Sequence, residues 1–196
     1  MEIIISAVPG AGKTTILEYI KKKMPKVMIV NEGDLIFEIA KKKLGIKNRD
    51  EMRKKLTIEQ QRKIQENVAK KISKMKSKII LIDTHLSVKT PSGYFPGLSE
   101  KVTSIIKPEV IVILEFNPKD VIERRRKDSK RKRDMETEKE IEEHQKANRE
   151  FAFAAATEAE GATVEIINLR YRQKKLFEHT IKAGNEIVSI IKRNIK

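Results

Sequence analysis

The chain alternates short apolar runs with longer stretches in which apolar residues recur at helical spacing. Five apolar runs have the length of buried strands: residues 2–8, 27–31, 79–83, 110–116 and 162–168. Helical periodicity covers the stretches between and after them: residues 13–24, 34–43, 50–76, 98–106, 118–127, 137–160 and 173–194. Continuous apolar strands separated by helices are typical of a parallel sheet covered on both faces. The pattern therefore predicts an α/β protein with a three-layer α/β/α fold and a five-stranded parallel sheet.

Capping residues sharpen two of these boundaries. Thr137, with Glu140 three residues later, forms a predicted capping box, and Gly161 is placed to end the same helix. Asn117 is expected to cap the helix that begins at Pro118. The chain shows no internal repeat and no linker long enough to separate domains. Residues 1–196 are therefore expected to form a single domain.

The strongest chemical motif lies where the first predicted strand meets the first helix. The stretch "AVPGAGKTT" matches the P-loop pattern G-x-x-x-x-G-K-[ST], except that Ala7 replaces the first glycine. Such a turn points backbone N–H groups and a helix N-terminus at an anion. Lys13 is placed to reach the β- and γ-phosphates, and the Thr14 hydroxyl to ligate Mg²⁺. The residues of this predicted triphosphate site are Ala7, Val8, Pro9, Gly10, Ala11, Gly12, Lys13, Thr14 and Thr15.

Other parts of the chain indicate which class of P-loop protein this is. A GTPase needs an N-K-x-D guanine-binding motif, and "NPKD" at residues 117–120 has Lys119 one position late. A motor or a helicase needs a longer chain with coupling motifs. The chain has 196 residues, which suits a small kinase on the P-loop NTPase fold.

Composition excludes several other chemistries. The chain has no cysteine, so disulfides, thiolate metal sites and cysteine catalysis are excluded. No apolar stretch approaches the ~20 residues of a membrane span, and the N-terminus lacks the features of a signal peptide, so a cytoplasmic protein is expected. The net charge of +15 leaves a nucleic-acid partner open. However, aromatic residues make up only 5% of the chain, which disfavours a base-stacking surface and a specific nucleic-acid partner.

One short segment concentrates the basic residues. "RRRKDSKRKRD", residues 124–134, holds eight basic residues and two acidic ones. The segment itself contributes +6, so a charge of +9 is spread over the rest of the chain, mostly as lysines on predicted helix faces. This local density indicates an anionic ligand near the segment.

Candidate acceptor residues follow the second and third predicted strands. Gly33 would let the backbone approach a ligand, and Asp34 would either cap the next helix or bind a hydroxyl group. Asp83 lies where a carboxylate would hold the water shell of Mg²⁺. The segment 82–98 has no helix or strand period, and a long polar loop at this edge of a sheet usually contacts substrate. Within it, His85 would either orient a phosphate or pack under the loop.

Together these segments resemble the archaeal type of adenylate kinase. The resemblance rests on the P-loop and on five further stretches in unbroken order from about residue 2 to residue 168. They are "NEGD", "RDEMRK", "DTH" with "KTPSGYFPGL", "RKRD" and "EEHQKANR". Ala7 and Ser99 depart from the family pattern without removing a ligand-binding group.

The resemblance implies reversible phosphoryl transfer from Mg·ATP to AMP, giving two ADP, by a homotrimer. It implies an acceptor-binding segment at about residues 31–76 and a short lid at about residues 126–138. The implied AMP-binding residues are Gly33, Asp34, Arg53, His85, Lys89, Thr90, Gly93 and Tyr94. The implied catalytic residues are Lys13, Arg125, Arg131, Arg133 and Arg149, with Arg125 also contacting ATP. Thr14 and Asp83 would serve the metal ion.

Three alternatives remain open. The first is a kinase for another nucleoside monophosphate, because the spacing of residues does not determine which base the acceptor carries. The second is a kinase that phosphorylates a small-molecule alcohol, with Asp34 as its base, whereas the phosphate of a nucleoside monophosphate needs no base. The net charge of +15 leaves an RNA-associated P-loop ATPase or a nucleic-acid-end kinase as the third.

Overall fold

A parallel sheet forms the centre of the molecule. The computed structural model describes residues 1–48, 52, 55–90, 92–128, 136–159 and 161–195. The strands of this sheet are β1 (Glu2–Ser6), β2 (Met28–Asn31), β3 (Ile80–Thr84), β6 (Val110–Phe116) and β7 (Thr163–Leu169). They pair in the order β2-β3-β1-β6-β7, and every pairing is parallel. The predicted five-stranded parallel sheet is confirmed.

Helices cover both faces of this sheet. They are α1 (Lys13–Lys23), α2 (Glu32–Leu44), α3 (Ile58–Ile72), α4 (Glu100–Ile106), α5 (Pro118–Lys127), α6 (Glu138–Glu158) and α7 (Glu178–Asn194). One apolar cluster joins alternate residues of β1, β3 and β6 to α1 and α7. The other cluster joins the remaining strand residues to α3, α4 and the second half of α6. The side chains that alternate along each strand thus enter two separate cores, as expected in a three-layer α/β/α fold.

The predicted caps are confirmed. The Thr137 side chain accepts a hydrogen bond from the backbone N–H of Glu140, and the Glu140 side chain accepts one from the backbone N–H of Thr137, so a capping box starts α6. The Asn117 side chain accepts from the backbone N–H of Lys119 at the start of α5. The last helical residue of α6 is Glu158, three positions before Gly161, whose φ of 122° is left-handed.

Three predicted elements need correction. Instead of one helix over residues 50–76, α3 begins at Ile58, because Thr57 and Gln60 form a capping box of their own. The final helix begins at Glu178, five residues later than predicted. The segment 82–98, expected to lack strands, contains an antiparallel hairpin of β4 (Ser87–Thr90) and β5 (Gly93–Pro96). Among the described residues its strands pair only with each other, and each has four residues, which is too few to show an apolar pattern in the sequence.

Candidate active site at the P-loop

The turn between β1 and α1 has the backbone shape that an anion-binding loop requires. Gly10 and Gly12 have φ angles of 81° and 100°, a left-handed region that residues with a Cβ seldom adopt. The backbone N–H of Ala11 donates to the carbonyl of Val8 at 3.3 Å, which closes the turn. Thr14 and Thr15 follow in the first turn of α1 and are exposed. The loop therefore presents backbone N–H groups and a helix N-terminus to the same space.

Lys13 is buried and directed toward the end of β3. Its Nζ lies 2.7 Å from Asp83 Oδ1 and donates a hydrogen bond to the carbonyl of Thr84. Burial lowers the pKa of Lys13 from its ordinary value, while the charge of Asp83 and the hydrogen bond to it oppose this effect. In this state the lysine charge is thus balanced by a carboxylate of the protein.

Asp83 is held from a second side by Asn31. The register of the sheet places Asn31 beside Asp83 at the ends of β2 and β3, and Asn31 Nδ2 donates to Asp83 Oδ2 at 2.8 Å. Asn31 Oδ1 also accepts from the backbone N–H of Asp34 and caps α2. Of the two alternatives for Asp34, the one in which it caps this helix is therefore wrong, because the helix begins two residues earlier. Asp34 is exposed in its first turn.

Next to this pair lies a buried carboxyl group that the sequence analysis did not single out. Glu32 is 1% exposed, and its Oε2 accepts a hydrogen bond from the Thr84 hydroxyl. Its other oxygen is buried and has no hydrogen-bond partner among the described residues. Burial raises the pKa of Glu32 to about 7, although the Thr84 hydrogen bond and the charge of Lys13 oppose this shift. A glutamate directly after an apolar strand was the only sequence signal that could have found it.

A cleft of about 450 Å³ opens beside these residues, between α1 and the end of β2. Its polar and charged lining consists of Thr14, Glu18, Lys21, Lys22, Asn31, Asp34 and Asp83. The cleft thus joins the predicted metal residues to one candidate acceptor residue.

Two arginines at the end of α5 contact the P-loop from the opposite side. Arg125 Nε donates to the carbonyl of Pro9 at 2.9 Å, and its side chain packs so closely that a Cβ on Gly10 would lie 2.7 Å from Arg125 Cγ. Arg124 Nη1 donates to the carbonyl of Ala11. The structure therefore places Arg125 at the predicted triphosphate site, and it adds Arg124 as a residue that supports the loop.

Arg124 is itself held by the start of α7. Its Nη2 lies 2.9 Å from His179 Nδ1, and its guanidinium stacks 4.6 Å from the centre of the Phe116 ring. Burial lowers the pKa of Arg124, with the charge of Asp120 acting in the opposite direction. The sequence did not reveal this role of Arg124, because nothing local links it to His179.

The hairpin carries most of the other candidate acceptor residues. Lys89 Nζ lies 3.1 Å from Glu136 Oε1 and 3.0 Å from Glu140 Oε1. The Thr90 hydroxyl donates to the carbonyl of Gly93 within the turn. The ring of Tyr94 packs 5.2 Å from that of His144 on α6. The hairpin is thus fastened to α6, and Lys89 is its charged contact.

Other candidate residues lie at different distances from the P-loop. His85 Nδ1 lies 2.8 Å from the carbonyl of Ala7, so this side chain is directly beneath the loop. Gly33 lies in the first turn of α2. Arg149 forms a bidentate pair with the buried carboxylate of Glu115, at 2.9 and 2.6 Å. Arg53, Arg131 and Arg133 lie outside the described residues.

Helix α6 contributes two buried polar residues whose function sequence reasoning missed. Gln145 donates to the backbone carbonyl of Phe116 and accepts from its N–H, which anchors the end of β6. Asn148 Oδ1 accepts from the backbone N–H groups of Leu86 and Ser87 at 3.2 Å. Their positions within "EEHQKANR" were noted only as part of a resemblance, since hydrogen bonds to distant backbone leave no local pattern.

The donors near Lys13 fit a magnesium ion that arrives with a nucleotide. No group of three or more His, Cys, Asp or Glu side chains within the described ranges could hold a metal by itself. Thr14 and Asp83 are nevertheless hard oxygen donors at one end of the cleft. Because Mg²⁺ keeps several waters and is often bound by one or two protein oxygens together with phosphates, this sparse donor set suits it.

Comparison with known proteins identifies the family. A family profile described as an AAA domain matches residues 6–142. The chain is 50% identical over 194 residues to an adenylate kinase of Pyrobaculum aerophilum, covering 98% of each chain. It is 43% identical over 196 residues to an adenylate kinase of Pyrococcus horikoshii, covering 99% of this chain and 96% of the other.

Solved structures agree on the fold. A shikimate kinase from Bacteroides thetaiotaomicron aligns with a TM-score of 0.60 at 16% identity, covering 98% of both chains. A shikimate kinase from Acinetobacter baumannii, solved with shikimate, also aligns with a TM-score of 0.60, at 13% identity, over 100% of this chain and 95% of that one. At such identities the likeness concerns the kinase fold alone. The near-full-length identity to the curated proteins decides the family: the chain belongs to the adenylate kinases.

Proposed function

We propose that the protein catalyses the reversible transfer of the γ-phosphoryl group of Mg·ATP to AMP, which yields two ADP. The geometry of Lys13, Thr14 and Asp83 around the P-loop supports phosphoryl transfer from a nucleoside triphosphate. The choice of AMP as acceptor is carried by one observation, the 50% identity to the Pyrobaculum aerophilum adenylate kinase over 98% of each chain.

For this reaction the protein needs only to position the two nucleotides and to neutralise the charge of their phosphates. An oxygen of the AMP phosphate is already an anion at neutral pH, so it attacks the γ-phosphorus without a base, and the bond to the β-phosphate oxygen breaks. Lys13 and Arg125 neutralise charge on the transferring group and on the leaving ADP. For this, Lys13 must exchange its contact with Asp83 for a phosphate contact. The buried setting strengthens these interactions, because water is excluded.

Magnesium is proposed as the metal of the nucleotide substrate. The Thr14 hydroxyl would bind the ion directly, and Asp83 would hold its water shell. When bound, the ion would neutralise charge on the phosphates of the nucleotide. On release of Lys13, the Asp83 carboxylate becomes available for this role, while its hydrogen bond from Asn31 keeps it in place.

Further proposals concern the acceptor side. We assign AMP binding to residues around the cleft and the hairpin: Gly33, Asp34, Arg53, His85, Lys89, Thr90, Gly93 and Tyr94. The acceptor-binding segment is residues 31–76, and the lid is residues 126–138, with Arg131 and Arg133 binding phosphate. Arg149 would also bind phosphate if its ion pair with Glu115 were broken. Support comes from Lys89, which reaches the same carboxylate as Arg125.

A kinase for a small-molecule alcohol is the second candidate. Its support is Asp34, an exposed carboxylate that lines the same cleft as Thr14 and Asp83 and is placed to accept a hydroxyl proton. Such an enzyme would lose its activity on Asp34→Asn, whereas an AMP kinase would keep catalysis without a base at this position.

A panel of acceptors with Mg·ATP separates these functions. The acceptors are AMP, GMP, CMP, UMP, shikimate and RNA 5′ ends, each followed by ADP formation. We expect AMP to have the highest kcat/KM, and omission of Mg²⁺ to abolish turnover. Faster turnover of shikimate or of RNA ends than of AMP would refute the proposed function.

The assembly and location of the protein are proposed on the resemblance. We propose a homotrimer in the cytoplasm, without a specific nucleic-acid partner. Among the residues that the structure describes, no helix is both long and apolar enough to cross a membrane. Exposed apolar side chains such as Phe153 and Ile166 offer surface for subunit contacts. Light scattering should give three times the chain mass of 22.6 kDa; a monomer would refute the trimer.

A further inference from the structure

One carboxylate lies between two cations that belong to different parts of the site. Glu136 Oε2 accepts a hydrogen bond from Arg125 Nη1, and Glu136 Oε1 lies 3.1 Å from Lys89 Nζ. The glutamate side chain is only 11% exposed. Each carboxylate oxygen of Glu136 therefore contacts a different cation, and the Glu136 side chain is mostly buried.

Arg125 lies beside the P-loop, and Glu136 connects Lys89 of the hairpin to it. Arg125 Nε donates to the carbonyl of Pro9, while its side chain packs against Gly10. Lys89 is in β4, five residues after Thr84, whose carbonyl accepts from Lys13. A phosphate group carries several oxygens that bind guanidinium and ammonium donors as a carboxylate does. An incoming phosphate and the Glu136 carboxylate thus match the same pair of donors.

Glu136 carries its negative charge at neutral pH. Burial acts to raise its pKa, but hydrogen bonds from Arg125 and Lys89 and the charge of Arg125 outweigh burial, so the pKa lies below its ordinary value. Phosphate therefore meets an ionised competitor at these two cations.

The glutamate can leave this position without disturbing the adjacent helix. It directly precedes Thr137, the N-cap of α6, and the capping box is formed by Thr137 and Glu140 alone. Lys89 also retains Glu140 as a second partner at 3.0 Å. Release of Glu136 thus leaves the start of α6 capped and Lys89 paired.

We propose that Glu136 stands in for a nucleotide phosphate: it keeps Arg125 and Lys89 in position in the nucleotide-free protein and is displaced when phosphate binds. The inference rests on the proposed function, because it takes the incoming anion to be a phosphate of the nucleotide substrates. Glu136 is a positioning residue in this account. While in place, Glu136 keeps Arg125 and Lys89 from repelling each other before substrate arrives. Because substrate must displace it, the net affinity for substrate is lower.

Isothermal titration calorimetry with ATP, inorganic tripolyphosphate and adenosine tests this role. Glu136→Gln removes the charge and keeps the shape, so ATP and tripolyphosphate should bind about 5- to 10-fold more tightly. Adenosine, which has no phosphate, should bind as in the wild type. Glu140→Gln is the matched control: it removes the other charge on Lys89 and keeps a glutamine that suits a capping box. It should change these affinities by less than about 2-fold.

Several results would overturn the proposal. If Glu136 has only a structural role, Glu136→Gln will bind tripolyphosphate as well as the wild type does, or more weakly. Equal tripolyphosphate affinities of Glu136→Gln and Glu140→Gln would show a general effect of charge. If Glu136→Gln does not fold, Glu136→Asp, which keeps the charge but shortens the reach, must itself tighten tripolyphosphate binding. Failure of the wild type to phosphorylate AMP would refute the proposed function, whereas the tripolyphosphate comparison would still decide the role of Glu136.

Discussion

On the triphosphate side of the candidate site, Lys13 and Arg125 are buried and already bound to backbone carbonyls of the strand ends and the loop. On the acceptor side, Asp34 is exposed, and Lys89 and Tyr94 are only partly buried. Both sides carry charges, but only the first is enclosed by backbone of the central sheet. The comparison indicates that the triphosphate side is built in advance, since its cations are buried and held by backbone carbonyls, whereas the more exposed acceptor side depends more on its substrate.

The largest effect on turnover is expected at Lys13, on the triphosphate side. Lys13→Ala should lower kcat at least ~10²-fold, because one charge aimed at the transferring group contributes about 3 kcal/mol or more to the transition state. Steady-state kinetics on a variant shown to be folded by circular dichroism tests this. Lys26→Ala removes an exposed lysine shortly after the same helix and should leave kcat unchanged. Wild-type turnover by folded Lys13→Ala would contradict the P-loop assignment.

The basic segment should divide into functional and solvated residues. Arg131→Ala and Arg133→Ala should each cost about 2–4 kcal/mol in the transition state, because a bidentate phosphate contact is lost. Lys130→Ala and Lys132→Ala should each cost under about 1 kcal/mol, as solvated charges do. Values of kcat/KM for the four variants measure this difference.

Protection from proteolysis gives a second measure of the same segment. Diadenosine pentaphosphate, a mimic of both substrates together, should bind tightly and slow tryptic cleavage within residues 126–138. Equal effects of the four substitutions, together with equal cleavage with and without the mimic, would show that the basic segment is only surface.

Glu32, on the triphosphate side, should make the stability of the protein depend on pH. Because its pKa is raised to about 7 in the folded protein, the folded state holds a proton that the unfolded chain releases near pH 4.5. Stability from this group is therefore full below about pH 4.5 and falls by about 3 kcal/mol as the pH rises to about 7. Denaturant unfolding across this range should show the decline in the wild type, relative to Glu32→Gln.

A control on the same helix separates burial from charge. Glu38→Gln removes an exposed carboxyl group of α2 and should leave the decline in place. If the wild type and Glu32→Gln lose stability in parallel over this range, the buried carboxyl does not act as described.

The smallest effect is expected on the acceptor side. Lys89→Ala should raise KM for AMP about 5- to 10-fold and change KM for ATP much less, because a partly exposed cation contributes about 1 kcal/mol. Lys101→Ala, which removes a more exposed lysine paired with Glu66, is the control and should change neither constant. Equal effects of Lys89→Ala on both substrates would remove the distinction between the two sides at this residue.

Local patterns were enough to predict the central elements. The central strands β1, β3 and β6 are continuous apolar runs, because both of their faces are buried, and the helices between them repeat at a different period. Capping at Thr137 and Asn117 was predictable because the bonds involved join residues two or three positions apart. The hairpin of β4 and β5 was missed, since strands of four residues that pair only with each other carry too few positions to show a period.

The sequence by itself determined the P-loop, because its glycines, Lys13 and Thr14 are consecutive and their chemistry follows from local backbone shape. Only the tertiary structure decided what surrounds that loop. The contact between Lys13 and Asp83 spans 70 positions, and the burial of Glu32 depends on how β2 lies beside β3. The bridge from Glu136 to Arg125 and Lys89 likewise joins three separate elements. Burial and charge pairing act through space, so they leave no mark in the order of neighbouring residues.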